Sequence, residues 1–192
     1  MLEIGPGDNP SVYRRAVGNV SLQWETADLG EALSARVAPN FSFRQAVAAQ
    51  HVMANEYEIP VADSSFDVVL AGQVLEHVRR VWMWVAELAR VTKPGGKVVM
   101  VSPISWPYHE APVDCWRVYP GGTRALCDAA GLGVVTCESG MLEPPLSRHE
   151  YPGESYRFAE AHHPHPVRSF IMRAVGWPLP TAQDLITIAQ KP

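Results

Sequence analysis

With 192 residues, the chain has room for one domain with a sizeable core. It is 47% apolar and 19% charged, with a formal net charge of −4 and scattered Arg and Lys, which argues against a nucleic-acid partner held through phosphates. No apolar run is long enough to cross a bilayer and no signal peptide is evident, so membrane and secretory classes are set aside. Cys115, Cys127 and Cys137 show no CxxC spacing and fit reduced thiols in a cytoplasmic protein.

The first ten residues read as strand, glycine turn and helix start. Leu2 to Ile4 is a short buried strand and Gly5-Pro6-Gly7 a tight turn. Asn9 is placed to cap a helix that begins at Pro10. Such a turn brings backbone N–H groups close to a ligand. The pattern is Gly-x-Gly-x-x-Pro, so a dinucleotide pyrophosphate has a poorer claim on it.

Asn19 to Trp24 suggests a second strand. Asp28 lies just past its end, 21 residues after Gly7, the spacing at which a nucleotide-binding unit places a ribose-binding acid. Glu31 to Val37 reads as a helix and Gln50 to Ala54 as a third strand. Phe66 to Ala71 is a buried strand, and Arg79 to Thr92 a helix with Val81, Trp84 or Val85, Leu88 and Val91 on one stripe. Trp82 and Met83 lie off that stripe, placed for a homodimer contact or for a covering segment. Lys93-Pro94-Gly95-Gly96 stops the helix, and Lys97 to Ser102 is the next strand. Tyr108 to Tyr119 is irregular, Gly121 to Ala130 is a helix ended by Gly131, and Val134 to Cys137 and Leu185 to Ala189 are strands. Residues from about 140 to 180 read as a loop-rich insertion in a single domain, with a helix at Val167 to Val175. Its His162-His163-Pro164-His165 run fits an exposed loop better than a metal site, because neighbours in an extended segment point opposite ways. Alternating strands and helices imply a parallel sheet covered on both faces.

Several stretches then match one pattern. They are Leu2-Glu3-Ile4-Gly5-Pro6-Gly7, Asp28, Glu58-Ile59-Pro60-Val61-Ala62-Asp63-Ser64-Ser65-Phe66-Asp67-Val68-Val69, Val74-Leu75-Glu76-His77-Val78, and Glu87 to Gly96. Over about residues 1 to 103 this resembles the class I S-adenosylmethionine-dependent methyltransferases of the type 11-like branch. The resemblance implies a Rossmann-like α/β fold with a seven-stranded, mostly parallel sheet and S-adenosylmethionine as cofactor. It places Glu3, Gly5 and Gly7 at the methionine end of the cofactor and Asp28 on the ribose hydroxyls. Asn55 stands where the family usually has Asp, and its side-chain oxygen can still accept from the adenine amine. Gln73 and His77 would face cofactor or substrate. The family pattern has a helix before its first strand. Here the strand begins at Met1, which leaves that face to residues outside this sequence, to another subunit or to the insertion.

A second, narrower resemblance is His109-Glu110-Ala111-Pro112-Val113-Asp114-Cys115-Trp116-Arg117-Val118-Tyr119-Pro120, similar to an HxxPxDxWRxTP segment of methyltransferases in glycan or glycosylated-metabolite pathways. It points to methylation of a hydroxyl on a saccharide or glycosylated small molecule. The alternatives are O- or N-methylation of a nonsugar metabolite, or a non-catalytic cofactor-binding subunit. Methyl transfer needs the nucleophile held against the methyl group and can use a base. His109, near Asp114, is the first candidate base and His77 the second, each also readable as packing or loop residues. A divalent metal near His109 and Asp114 would replace the base by a Lewis acid. Trp116 and Arg117 either meet a sugar ring or pin their loop.

Overall fold

The structure is a computed structural model that describes residues 1–7, 10–18, 20–30, 49–106, 108, 113–140 and 183–192. Seven strands form one sheet in the order β3-β2-β1-β4-β5-β7-β6. They are β1 (Leu2–Ile4), β2 (Glu25–Leu29), β3 (His51–Met53), β4 (Phe66–Gly72), β5 (Thr92–Ser105), β6 (Gly133–Gly140) and β7 (Gln183–Gln190). Only β7 runs antiparallel to its neighbours, β5 and β6. The helices described are α1 (Val12–Val17), α2 (Val81–Val91) and α3 (Pro120–Ala129), with a 3-10 turn at Leu75–His77.

The core lies where β1, β4 and β5 meet α2. Leu2, Val69, Val98, Val85, Leu88 and Val91 are fully buried. The helical spacing of the α2 stripe puts Val81, Trp84, Val85, Leu88 and Val91 on the sheet side, each worth roughly 1.5–3 kcal/mol over an exposed position. Trp82 and Met83 stay outside, and Trp82 meets Trp116 edge-on at 6.4 Å. At the end of α2 the Lys191 ammonium donates to the Arg90 and Thr92 carbonyls, satisfying acceptors a helix terminus leaves open.

Local expectations shift in four places. The second strand is Glu25–Leu29 rather than residues 19–24, so Asp28 lies inside it. Helix α1 is capped by Ser11, whose hydroxyl accepts from the Arg14 N–H, and it starts at Val12 rather than Pro10. The capping site moves because the Ser11 hydroxyl is also drawn to Glu3, to which it donates at 2.8 Å. Asn9 lies outside the described residues. Helix α2 starts at Val81, two residues later than expected. Strand β5 starts at Thr92, before the glycine turn, because Gly95 and Gly96 pair with Lys191. The expected helix at residues 31–37 and the insertion at about 140–180 fall almost wholly outside the described residues.

Candidate active site

Because β1 to β5 are parallel, their carboxyl ends share one edge of the sheet. The chain order reverses between β1 and β4, and ligands of open α/β sheets bind at such a point. Gly5 and Gly7 follow β1, Asp28 sits near the end of β2, Asn55 just after β3, and Gln73 just after β4. The structure therefore brings these candidates to a single edge.

The glycine turn is open toward that edge. Gly7 has φ +69° and a Cβ added there would meet nothing within 4 Å. Gly5 has φ +61°, and its Cβ would come 2.9 Å from Val74 Cγ2. Both positions favour glycine on backbone grounds. Glu3 is held by protein partners. It is 2% exposed, and its Oε2 accepts from Ser11 Oγ at 2.8 Å and from Trp24 Nε1 at 2.7 Å. It anchors the turn from below.

Asp28 Oδ1 accepts from the Leu29 N–H at 2.7 Å, and burial raises its carboxyl above the usual range. Asn55 spends its amide locally, accepting from the Tyr57 N–H at 2.8 Å and donating to Glu58 at 3.2 Å. Gln73 has φ +56°, uncommon for a side-chain-bearing residue, and its N–H donates to the Val101 carbonyl at 2.7 Å. Its side chain hydrogen-bonds Asp184 at the start of β7.

The 3-10 turn after β4 is laced to the 113–117 segment. Cys115 N–H donates to the Glu76 carbonyl at 2.7 Å, His77 Nδ1 donates to the Val113 carbonyl at 2.7 Å, and Trp116 Nε1 donates to the Val78 carbonyl at 2.7 Å. Since Nδ1 must carry the proton, Nε2 is the basic nitrogen of neutral His77. Both oxygens of Asp114 bind Arg117, which also donates to the Trp106 carbonyl at 3.2 Å. Asp114 is paired with Arg117, and the indole of Trp116 and the guanidinium of Arg117 also hold this segment to its neighbours. A groove of about 240 Å³ remains, lined by Trp106, Tyr108, Asp114, Cys115, Trp116 and Arg117. His109 lies outside the described residues. Among the described residues no group of three or more His, Cys, Asp or Glu could hold a metal ion.

Three residues at this edge had no assigned role. Tyr13 lies directly over Gly72, where an added Cβ would fall among its ring atoms. Burial, Asp184, Glu3 and Glu76 push its hydroxyl up to about 12. Glu76 is 1% exposed, and its Oε2 has no hydrogen-bond partner among the described residues. Burial pushes its carboxyl up to about 7. Asp184 is likewise raised by burial. Glu76 was visible inside the Leu-Glu-His run, but sequence alone does not say which of two adjacent polar residues turns inward.

This sheet order, with an open glycine turn and an acid near the end of β2, defines a class I S-adenosylmethionine-dependent methyltransferase. Gly7 and Asp28 fit the cofactor, since the open glycine leaves room for its approach and the carboxylate can accept from hydroxyls. The family described as "Methyltransferase domain" matches residues 2–100, and the chain belongs to it. An uncharacterized methyltransferase of Mycobacterium ulcerans (strain Agy99) is 35% identical over 97 residues, which are 50% of this chain and 35% of that relative. The match thus spans about a third of that relative's length. Among solved structures, the complex between the Haloferax volcanii Trm112 methyltransferase activator and a methyltransferase gives a TM-score of 0.58 at 17% identity, covering 100% of this chain and 81% of that one. Haemonchus contortus phosphoethanolamine N-methyltransferase 2, solved with phosphomonomethylethanolamine and S-adenosylhomocysteine, gives 0.54 at 16%, covering 100% and 48%. At these identities the structures speak to fold alone. No helix among the described residues is long and apolar enough to cross a membrane.

Proposed function

We propose that this chain methylates a hydroxyl on a saccharide or glycosylated small molecule. The observation that supports this reading is the groove beside the cofactor edge. It sets Trp106, Tyr108 and Trp116 next to the Asp114–Arg117 pair. Aromatic faces suit the apolar side of a sugar ring, and charged groups suit its hydroxyls. Bound S-adenosylmethionine supplies a methyl group already activated on sulfur. The protein's share is to hold the acceptor in line, exclude water and take up the hydroxyl proton. His77 offers Nε2 for that proton, and His109 is the second candidate base.

Turnover with labelled S-adenosylmethionine over a panel of saccharides, glycosides, aglycones and amines tests the reading. Label is expected on sugar hydroxyls. Transfer confined to aglycones or amines overturns it. Replacement of the working base, His77→Ala or His109→Ala, is expected to keep S-adenosylhomocysteine affinity and to slow turnover by about 10²–10⁴-fold.

A further inference from the structure

The feature left unexplained is the Glu76 carboxyl. It takes a hydrogen bond from its own backbone, but Oε2 has none among the described residues, and a carboxylate oxygen removed from water in this way is costly and calls for a reason. Its surroundings point to one. Glu76 follows β4 by four residues, and Oε1 lies 3.8 Å from His77 Nε2. The other charged or titratable groups facing it come from three further elements: Tyr13 of α1, Asp184 of β7, and Asp114 with Arg117 of the 113–117 segment. Glu3 acts on the same Tyr13 hydroxyl. Tyr13 covers Gly72 at the end of β4, so this negative cluster borders the crevice between β1 and β4. On the groove side its one described cation, Arg117, is already bound through both oxygens of Asp114. The cluster is thus suited to positive charge arriving at the crevice.

We propose that Glu76 is the charge partner of the methyl donor's sulfonium, so that the site separates the cationic donor from its neutral, demethylated product. This inference rests on the methyl-donor assignment and not on the nature of the acceptor. Donor and product differ by one methyl group and one positive charge. A dry carboxylate beside the sulfur holds the first and lets the second leave. Its titration near neutrality adds a signature, since a cation beside it favours the ionised form and expels the proton it carries.

Calorimetry on the full chain provides the test, with S-adenosylmethionine, S-adenosylhomocysteine and sinefungin, which carries an amine in place of the methylsulfonium. Glu76→Gln is expected to weaken S-adenosylmethionine and sinefungin about tenfold, a screened charge–charge effect, and to leave S-adenosylhomocysteine within about twofold. Equal losses for all three overturn the proposal. The wild-type protein gives a second reading that needs no variant. At pH 7 in buffers of different ionisation enthalpy, S-adenosylmethionine should release more protons on binding than S-adenosylhomocysteine. Equal release overturns the proposal even where Glu76→Gln fails to fold. Wild-type protein that binds none of the three overturns the donor assignment, and this inference with it.

Discussion

Glu87 and Glu76 are both glutamates that burial should penalise, at 8% and 1% exposure. Glu87, on α2, is surrounded by donors. It accepts from the Ile59 N–H at 2.6 Å and from Arg90 through Nε at 2.8 Å and Nη2 at 2.7 Å. Arg90 in turn donates to the Ile59 and Val61 carbonyls and to Asp63. This clamp fastens the stretch before β4 onto α2. Glu76, at the carboxyl edge, has one oxygen without a hydrogen-bond partner among the described residues and a carboxyl raised to about 7. The two side chains show that partners, not depth, decide whether a buried charge supports the fold or is held at its expense. The first is a structural tie. The second has an oxygen that no hydrogen bond among the described residues satisfies.

Removing the satisfied acid should do the most damage. Glu87→Ala strips Arg90 of its buried partner and leaves the Ile59 N–H without an acceptor, at a cost of about 3–5 kcal/mol. Urea unfolding measures it, and an unchanged midpoint breaks the contrast. Removing the other acid should act in the opposite sense. The Glu76 carboxyl has its pKa raised from 4.5 to about 7 by folding. The folded state therefore binds the extra proton between those values, and stability falls as pH rises through that window. Glu76→Gln should match wild type at pH 4 and exceed it at pH 8 by up to about 3 kcal/mol. Equal stability at both pH values would mean that Glu76 is not a strained charge.

Much of this contrast was legible in the sequence, but unevenly. The α2 stripe follows from spacing, because periodicity reports which face is buried, and the alternation of strands and helices implies a parallel sheet, whereas the order of strands within it does not follow from spacing. Asp28 lies at the carboxyl edge even though β2 runs several residues later than its sequence suggests, since the acid is located by its spacing from the glycine turn rather than by the strand's bounds. The carboxylate of Glu3 is held by Ser11 and Trp24. Those partners stand 8 and 21 residues away, and no local pattern announces a bond of that range. In the sequence His77 draws notice before Glu76, because histidine titrates near neutrality without help. What moves a glutamate into the same range is burial first, with Asp114 and Asp184 of β7 adding to it, and only the fold brings these together.

Asp28 is intermediate between the two glutamates. One oxygen accepts from the Leu29 N–H, and burial raises the carboxyl without isolating it. If its remaining capacity serves ribose hydroxyls, Asp28→Ala should lower S-adenosylhomocysteine affinity by about 1.5–3 kcal/mol and change stability far less than Glu87→Ala does. Calorimetry paired with urea unfolding separates the two effects. Unchanged affinity removes Asp28 from the site.

The smallest expected effect tests what keeps Glu76 dry. Three hydrogen bonds strap residues 113–116 onto the 3-10 turn and its exit, and one of them is the indole of Trp116 on the Val78 carbonyl. Trp116→Phe removes that donor while keeping an aromatic ring near Trp82, at a cost of about 1 kcal/mol. A looser strap admits water to the turn, and a hydrated Glu76 carboxyl should fall back toward the ordinary glutamate range. The gain from Glu76→Gln at pH 8 should then be smaller in the Trp116→Phe background than in wild type, a coupling that a double-mutant cycle in urea reads directly. Full additivity would show that the strap only positions the loop, and that the burial of Glu76 comes from the packing of α1 and β7 instead.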